Sequence, residues 1–352
     1  MLFRSAGGIT GVIPFNGGVV FYASDPTAGM EPFFSDGTSA GTAVIKDVNS
    51  GVSSSAPNYN FGFKAVGSQL FFNAKTASNG DELWATDATS SGTYMVADIA
   101  VGAASGITNA GVATSNGKLY FQANDLANGA ELWVSDGTSG GTFMLKDVNV
   151  GGAAAGALYP MATSWGVIFS GYQTATGREL WRSDGTSNGT YLVKEIAAST
   201  ASGYNTQSQL NFGCMGTKYV FFGQSKVWTS DGTSDGTVGA GTSVPTSIEN
   251  FDGGTQTFFV GSNIAAGSEL WRTDGTDVGT YLVKDIYAGA SDGVSGSFSK
   301  IVVNGILYFR GDDGGAAYGP ELWRSDGTSA GTYLVKDIYS GVTGSSARPL
   351  AN

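Results

Sequence analysis

Short apolar segments recur along the whole chain, and turns rich in polar residues and glycine separate them. Near the C-terminus, the segments ILYFRG (306–311), ELWRS (321–325) and YLVKDI (333–338) are rich in aromatic and β-branched residues, which a pleated, partly buried strand favours. No segment shows a convincing apolar period of about 3.6 residues, which an amphipathic helix requires. The pattern therefore predicts β-strands throughout the chain.

One of these segments belongs to a repeat that occurs seven times. The stretch ELWRSDGTSAGTYLVKDI at 321–338 recurs in close copies at 131–148, 178–196 and 269–286, and in weaker copies at 31–48 and 82–99. The most altered copy is KVWTSDGTSDGT at 226–237. Successive copies lie 43 to 52 residues apart. A period of this length indicates one supersecondary unit per repeat.

Each repeat has room for a four-stranded antiparallel sheet. In the last copy, Asn304 and Gly305 separate the first two strands and suit a two-residue turn in which both residues have positive φ. Because a propeller buries each sheet between its neighbours, seven such units predict an all-β fold, a closed seven-bladed β-propeller in one domain spanning residues 1–352. The predicted blades are 7–48, 59–99, 110–148, 158–196, 207–244, 251–286 and 297–338, with a tail at 339–352.

The SDGTxxGT stretch is predicted to form the turn between the third and fourth strands of each blade. Asp326 can accept hydrogen bonds from nearby backbone amides, and Gly327 can take a positive φ. A calcium loop needs several acidic residues at alternating positions, and only one is present here. The repeated aspartate is therefore interpreted as structural, and no metal ion or other cofactor is expected.

A glutamate at the start of the third strand and a lysine near the end of the fourth are predicted to pair. If the hairpin is symmetric about its loop, Glu321 faces Lys336, and the equivalent residues face each other in blades three, four and six. Blade five has Lys226 and Gly241 at these positions, so both partners are lost together. The tryptophans at the third repeat position are expected to pack between blades.

The repeats resemble the bacterial protein family named for its ELWxxDGT motif. Six copies keep an aromatic residue at the third position and the aspartate at the sixth, and KVWTSD in blade five keeps both. The resemblance implies propeller-like architecture and a secreted or bacterial cell-surface location. It implies no particular activity.

Composition and charge exclude several classes of function. The net charge is −11, whereas nucleic-acid binding needs clustered Lys and Arg, so no nucleic-acid partner is expected. No run reaches the ~18 apolar residues of a membrane helix, so no membrane insertion is expected. The chain has no histidine and one cysteine, which removes histidine-based catalysis and histidine-ligated metals.

The loops between the second and third strands, and those that join successive blades, vary in sequence and share one face of the predicted propeller. Variable loops on a rigid scaffold often carry recognition. Trp165, which lies outside the tryptophan positions of the repeat, is a further candidate for an exposed contact. The candidate ligand-binding residues are Tyr59, Asp125, Tyr159, Trp165, Tyr172, Tyr204, Asp312, Asp313 and Tyr318. The alternative interpretation is that these are simply solvated loops.

Two functions are consistent with these features. The favoured one is a non-catalytic binding, adhesion or assembly module, not an enzyme, that recognises a glycan or a protein. The alternative is a carbohydrate-active propeller enzyme, a hydrolase or lyase, that works with carboxylates alone. Self-assembly is a further expectation, because the N-terminal residues MLFR resemble the end of an extra strand that pairs with blade seven or with a neighbouring molecule.

Overall fold

The computed structural model contains β-strands and connecting turns, with no helix in the part of the chain that it describes. The described residues are 9–56, 61–150, 158–197, 213–224, 226–241, 250–252, 254–263, 265–294, 300–315, 319–341 and 343–345. The chain divides into two compact units, of which the first runs to Leu192 and the second begins at Val193, apart from residues 199–201, which belong to the first.

The first unit contains four antiparallel sheets, and each follows the chain order of its four strands. They are β1 (Thr10–Phe15), β2 (Gly18–Asp25), β3 (Gly29–Ser35) and β4 (Thr42–Val44); β5 (Lys64–Val66), β6 (Gln69–Ala74), β7 (Glu82–Thr86) and β8 (Tyr94–Ala97); β9 (Ile107–Ser115), β10 (Lys118–Asn124), β11 (Ala130–Ser135) and β12 (Phe143–Lys146); and β13 (Leu158–Thr163), β14 (Gly166–Gln173), β15 (Gly177–Ser183) and β16 (Tyr191–Lys194), the last of which runs two residues past the unit boundary.

The second unit contains three sheets of the same kind. They are β17 (Gly213–Met215), β18 (Lys218–Gly223), β19 (Lys226–Ser230) and β20 (Val238–Ala240); β21 (Asn250–Asp252), β22 (Thr257–Asn263), β23 (Gly267–Thr273) and β24 (Tyr281–Lys284); and β25 (Lys300–Val303), β26 (Ile306–Gly311), β27 (Glu321–Ser325) and β28 (Tyr333–Lys336). The predicted all-β fold with seven four-stranded antiparallel propeller blades is confirmed. The sheets are called blades one to seven below.

Local turn chemistry accounts for the hairpin between the first two strands of a blade. Asn304 and Gly305 have φ of 51° and 76°, and Asn116 and Gly117 have φ of 50° and 70°. Asparagine and glycine adopt this left-handed region most readily, and two such residues in succession give the twist that an antiparallel hairpin needs. The predicted turn is therefore confirmed in both blades.

The turn between the third and fourth strands is closed by its own side chains. Asp326 Oδ1 accepts the Thr328 backbone N–H at 2.9 Å and the Thr328 hydroxyl at 2.7 Å. Beneath this turn, the Ser325 and Thr332 hydroxyls are 2.7 Å apart and both residues are buried. Equivalent hydroxyl pairs at 2.6–2.7 Å occur in the other six blades. The structural interpretation of the repeated aspartate agrees with these contacts.

Apolar side chains fill the space between successive blades within each unit. In the second unit, Phe258 and Leu270 of blade six pack with Phe309 and Trp323 of blade seven, and all four are buried. The first unit contains three clusters of the same kind, which join blades one and two, two and three, and three and four. The predicted packing role of the repeat tryptophans is confirmed where Trp84, Trp181 and Trp323 lie in these clusters.

The predicted pairing of glutamate with lysine is wrong. Lys336 lies opposite Leu322, and a register shift between Leu322 and Trp323 moves the fourth strand by one residue. The same shift places Lys146 opposite Leu132 and Lys284 opposite Leu270. A bulge of this kind adds one residue to one strand, so the symmetric hairpin assumed from the sequence does not extend to the strand ends.

The lysine of the fourth strand instead reaches the next blade. Lys284 Nζ donates to the backbone carbonyl of Thr332 at 2.8 Å, and the ammonium group lies 5.8 Å from the centroid of the Trp323 ring. Lys46 and Lys146 make the same bond to Thr93 and Thr190, at 2.6 and 2.9 Å. Each lysine thereby ties the edge strand of one blade to the turn of its successor.

Removing this lysine is expected to weaken the junction between two blades. Lys284→Met should lower the free energy of unfolding by about 1–2 kcal/mol, because it deletes a hydrogen bond from a charged donor. Lys336→Met is the matched control, since Lys336 is exposed and its change should stay within about 0.5 kcal/mol. Urea denaturation of dilute protein measures both variants. Equal losses would contradict the assigned role of the lysine.

Candidate functional site

The loop ends of the blades are held by a buried glutamate at the start of the third strand. Glu269 is fully buried, and its carboxylate accepts backbone N–H bonds from Ile286, Tyr287 and Gly293 at 3.0, 3.1 and 2.9 Å. These three residues belong to the segment that leaves the fourth strand of blade six for blade seven. One side chain therefore folds this connecting loop back onto the head of the third strand.

The same arrangement, called the glutamate clasp here, recurs in other blades. Glu82 accepts the N–H groups of Ile99, Ala100 and Gly106 at 2.8, 3.2 and 2.8 Å. Glu31 accepts the N–H groups of Val48 and Ser55, at 3.0 and 2.9 Å, and also the Ser55 hydroxyl. Glu321 accepts the N–H groups of Ile338 and Tyr339, at 3.2 and 3.3 Å. The loops thus differ in sequence but share one anchor.

A small residue is required where the loop crosses the carboxylate. A Cβ added at Gly293 would lie 2.4 Å from Glu269 Oε1, and one added at Gly106 would lie 2.6 Å from Glu82 Oε2. Both distances are far shorter than a van der Waals contact, so a side chain at either position forces the glutamate or the loop to shift, whereas blade one accommodates Ser55 at the equivalent position. The glycine and the glutamate form one structural unit 24 residues apart in the chain.

Burial of these carboxyl groups changes their acidity. Desolvation raises the pKa of Glu269 and of Glu131 to about 7, with smaller contributions from the charges of Asp285 and Asp147. Desolvation also raises the pKa of Glu31 and Glu82. A carboxyl group that titrates near neutrality suits general acid–base work, but all four are fully buried, and Glu31, Glu82 and Glu269 are committed to backbone amides. Their arrangement favours an anchoring role.

The acidic residues predicted to bind a ligand lie in loop turns that they help to form. Asp125 in blade three accepts the backbone N–H groups of Ala127 and Asn128 at 3.0 and 2.8 Å, and its other oxygen accepts the Asn128 side-chain amide. In blade seven, Asp312 and Asp313 accept the N–H groups of Gly314 and Gly315 at 2.9 and 3.0 Å. All three side chains are half-buried.

Three of the aromatic residues predicted to bind a ligand, Tyr159, Trp165 and Tyr172, belong to the first two strands of blade four and the turn between them. Tyr159 and Tyr172 both belong to blade four and are half-buried, and Tyr159 has a φ of 55° beside a register shift in its strand. Trp165 is half-buried, with the Arg182 guanidinium 3.8 Å from its ring centroid, so one ring face is covered by a cation. Tyr59, Tyr204 and Tyr318 lie outside the described residues. Sequence reasoning missed the glutamate clasp.

The described residues contain no group of three or more His, Cys, Asp or Glu side chains able to hold a metal ion. None of the described residues belongs to a helix with the length and apolar character that a membrane span requires. The N-terminal MLFR segment lies outside the described part of the chain, so its pairing with blade seven or with a neighbouring molecule stays a prediction.

Comparisons with solved structures find peptidases. The chain is similar to puromycin hydrolase, with 13% identity and a TM-score of 0.38 over 88% of this chain and 58% of that one. It is similar to oligopeptidase B from Leishmania major, with 13% identity and a TM-score of 0.44 over 96% of this chain and 50% of that one. A structure from a study of two prolyl endopeptidases gives 8% identity and a TM-score of 0.43 over 96% and 50%.

These matches concern the propeller part, and the chain spans only half to three-fifths of the length of those proteins. They contradict two predictions made from the sequence: that the chain is a non-catalytic binding, adhesion or assembly module, and that it is not an enzyme. No family model matches the chain, and no curated protein does so either.

The clasp predicts a specific pH dependence of stability. A carboxyl group whose pKa rises from 4.5 when unfolded to about 7 when folded binds more protons in the folded state between these values. Stability should therefore fall as pH rises through this window, and the melting temperature should drop by a few degrees between about pH 5 and about pH 8. Calorimetry across this range measures the trend.

Two variants assign this trend to the clasp. Glu269→Gln should lower the melting temperature at every pH and flatten its decline towards neutrality, because one titrating group is gone. Asp326→Asn should leave the decline unchanged, since hydrogen bonds from Thr328 hold the pKa of Asp326 below its usual value and it titrates outside the window. A melting temperature that rises between pH 5 and pH 8 would be incompatible with clasp carboxyls that titrate near neutrality.

Proposed function

We propose that this chain is the propeller part of a peptidase-related enzyme, in which it forms a rigid scaffold whose loop ends restrict access of peptides to catalytic residues supplied outside the chain. The observation that carries the proposal is the state of the repeated acids. Glu31, Glu82, Glu269 and Glu321 bind backbone amides of the connecting loops. These four carboxylates therefore hold the connecting loops in place.

The composition of the chain also supports a scaffold role, with the catalytic residues supplied from outside it. The chain contains no histidine, so a histidine general base for peptide hydrolysis must come from outside it. In blades two and six the clasp fixes the connecting loop at two points, the residues just after the fourth strand and the crossing at Gly106 or Gly293. Loops fixed in this way suit an entrance of constant width, which admits short, flexible peptides and excludes folded proteins.

Peptide digestion tests the proposal. A mixture of synthetic peptides of graded length is incubated with the full polypeptide in which this chain occurs, and separately with the 352-residue chain. The products are identified by mass spectrometry. The full polypeptide should cleave short peptides and spare long ones, and the chain alone should cleave none. Absence of cleavage by the full polypeptide, or cleavage by the chain alone, would overturn the proposal.

A loop variant tests the restriction of access. Gly293→Ala in the full polypeptide places a methyl group against Glu269 and should loosen the loop between blades six and seven. Cleavage of long peptides should rise about threefold or more, while kcat/KM for short peptides changes less than about twofold. Gly140→Ala is the matched control, because a Cβ there meets nothing within 4 Å. An unchanged length limit in Gly293→Ala would remove the loops from the mechanism.

A secreted or cell-surface location stays a prediction from the resemblance of the repeats to ELWxxDGT proteins. Fractionation of the producing cells would check it.

A further inference from the structure

Glu131 of blade three differs from the clasp glutamates of blades two and six. All three side chains are fully buried at the start of a third strand. Glu82 and Glu269 each accept three backbone N–H groups, whereas neither carboxylate oxygen of Glu131 has a hydrogen-bond partner in the part of the chain that the structure describes. Because a buried carboxylate without partners is costly, native proteins seldom keep one without a bound ligand or a proton.

The segment that follows the fourth strand of blade three is held by blade four. Gln173 Nε2 donates to the Val148 carbonyl at 2.9 Å, and the Thr174 N–H and hydroxyl both donate to Asn149 Oδ1, at 3.0 and 2.9 Å. The backbone amides of Val148 and Asn149 influence the pKa of Glu131, but neither meets hydrogen-bond geometry with its oxygens. The segment therefore passes the carboxylate without using it as its anchor.

Two further carboxylates lie beside Glu131. The charges of Asp147 and Asp125 add to desolvation in raising its pKa. Asp147 Oδ1 is itself buried, and no residue in the described ranges bonds to it. Lys146, the adjacent base in the sequence, donates to the Thr190 carbonyl of blade four. Three buried acceptor oxygens, two from Glu131 and one from Asp147, are therefore left for a ligand that carries positive charge.

We propose that Glu131 and Asp147 bind a divalent cation, for which Ca²⁺ is the probe, and that this cation takes the place of the backbone amides as the partner of the glutamate in blade three. Asp147 directly follows the fourth strand, and Glu131 lies at the head of the third. The cation therefore joins the same two points of a blade that hydrogen bonds join in blades two and six.

The ligand chemistry suits a weak calcium site. Ca²⁺ takes carboxylate, backbone carbonyl and water oxygens in flexible geometry. Across the described ranges no three acidic side chains form a ligating group, so the site supplies two carboxylates and water completes the coordination. Asp125 contributes charge from a short distance, because both of its oxygens are bound in its own turn. We expect a dissociation constant on the order of 10⁻⁴–10⁻³ M, as in other weak calcium sites.

Melting temperatures of the 352-residue chain with and without calcium test the proposal. At about pH 8, where Glu131 is ionised, about 10 mM CaCl₂ should raise the melting temperature by about 2–4 °C over the value in EDTA. NaCl at the same ionic strength controls for screening of the net charge of −11. Glu131→Gln should abolish the rise, and Asp147→Asn should at least halve it. Equilibrium dialysis should find one Ca²⁺ per chain, and none in Glu131→Gln.

Glu269→Gln is the matched control, because it changes the same position in a blade whose glutamate has its amide partners. It should lower the melting temperature in EDTA and keep the full response to calcium. Glu131→Gln should show the reverse, with no loss of melting temperature in EDTA, because it removes a buried charge that lacks a partner. A calcium response no larger than that of NaCl, or one that Glu131→Gln retains, would overturn the proposal.

Discussion

A buried carboxylate that accepts backbone amides organises the connecting loops of blades one, two, six and seven. Two strands and a loop meet at the glutamate clasp: the head of the third strand supplies Glu269, and the segment after the fourth strand supplies three N–H groups. Isolated burial of a carboxyl group is costly, and only this concentration of donors makes it tolerable. The pKa of Glu269 is raised because its hydrogen bonds offset only part of the desolvation cost of the charged carboxylate. The path of the loop and the small residue at its crossing both depend on this contact.

A second set of contacts lies between neighbouring blades, and the same type of interface recurs at several junctions. Its apolar part consists of β-branched and aromatic residues, and its polar part is a lysine that crosses to a threonine carbonyl. The same apolar and polar contacts recur from one blade junction to the next within each unit.

Sequence reasoning succeeded where a feature depends on local chemistry. The Asn304-Gly305 turn and the Asp326 turn each follow from the conformational and hydrogen-bonding preferences of a few adjacent residues. Because the repeat occurs seven times, the same local features predicted seven blades. Contacts over longer separations were missed: Glu269 binds residues 17 to 24 positions away, and its acceptor role depends on a loop path that varies in sequence. The joint loss of glutamate and lysine in blade five suggested a pair, although the two residues serve different contacts.

Blade five shows which contacts a sheet can do without. It has Lys226 in place of the clasp glutamate, yet it keeps its four strands and its buried pair of hydroxyls from Ser230 and Thr237. Its fourth strand ends at Ala240, and the next residue, Gly241, donates its N–H to Asp277 of blade six at 2.7 Å, where blades one, three and six use a lysine. The strands therefore depend on local turns and apolar packing, while the clasp determines how the loops leave them. A substitution at a clasp changes loop position more than it changes the sheet, which separates the part of this fold that can vary with function from the part that cannot.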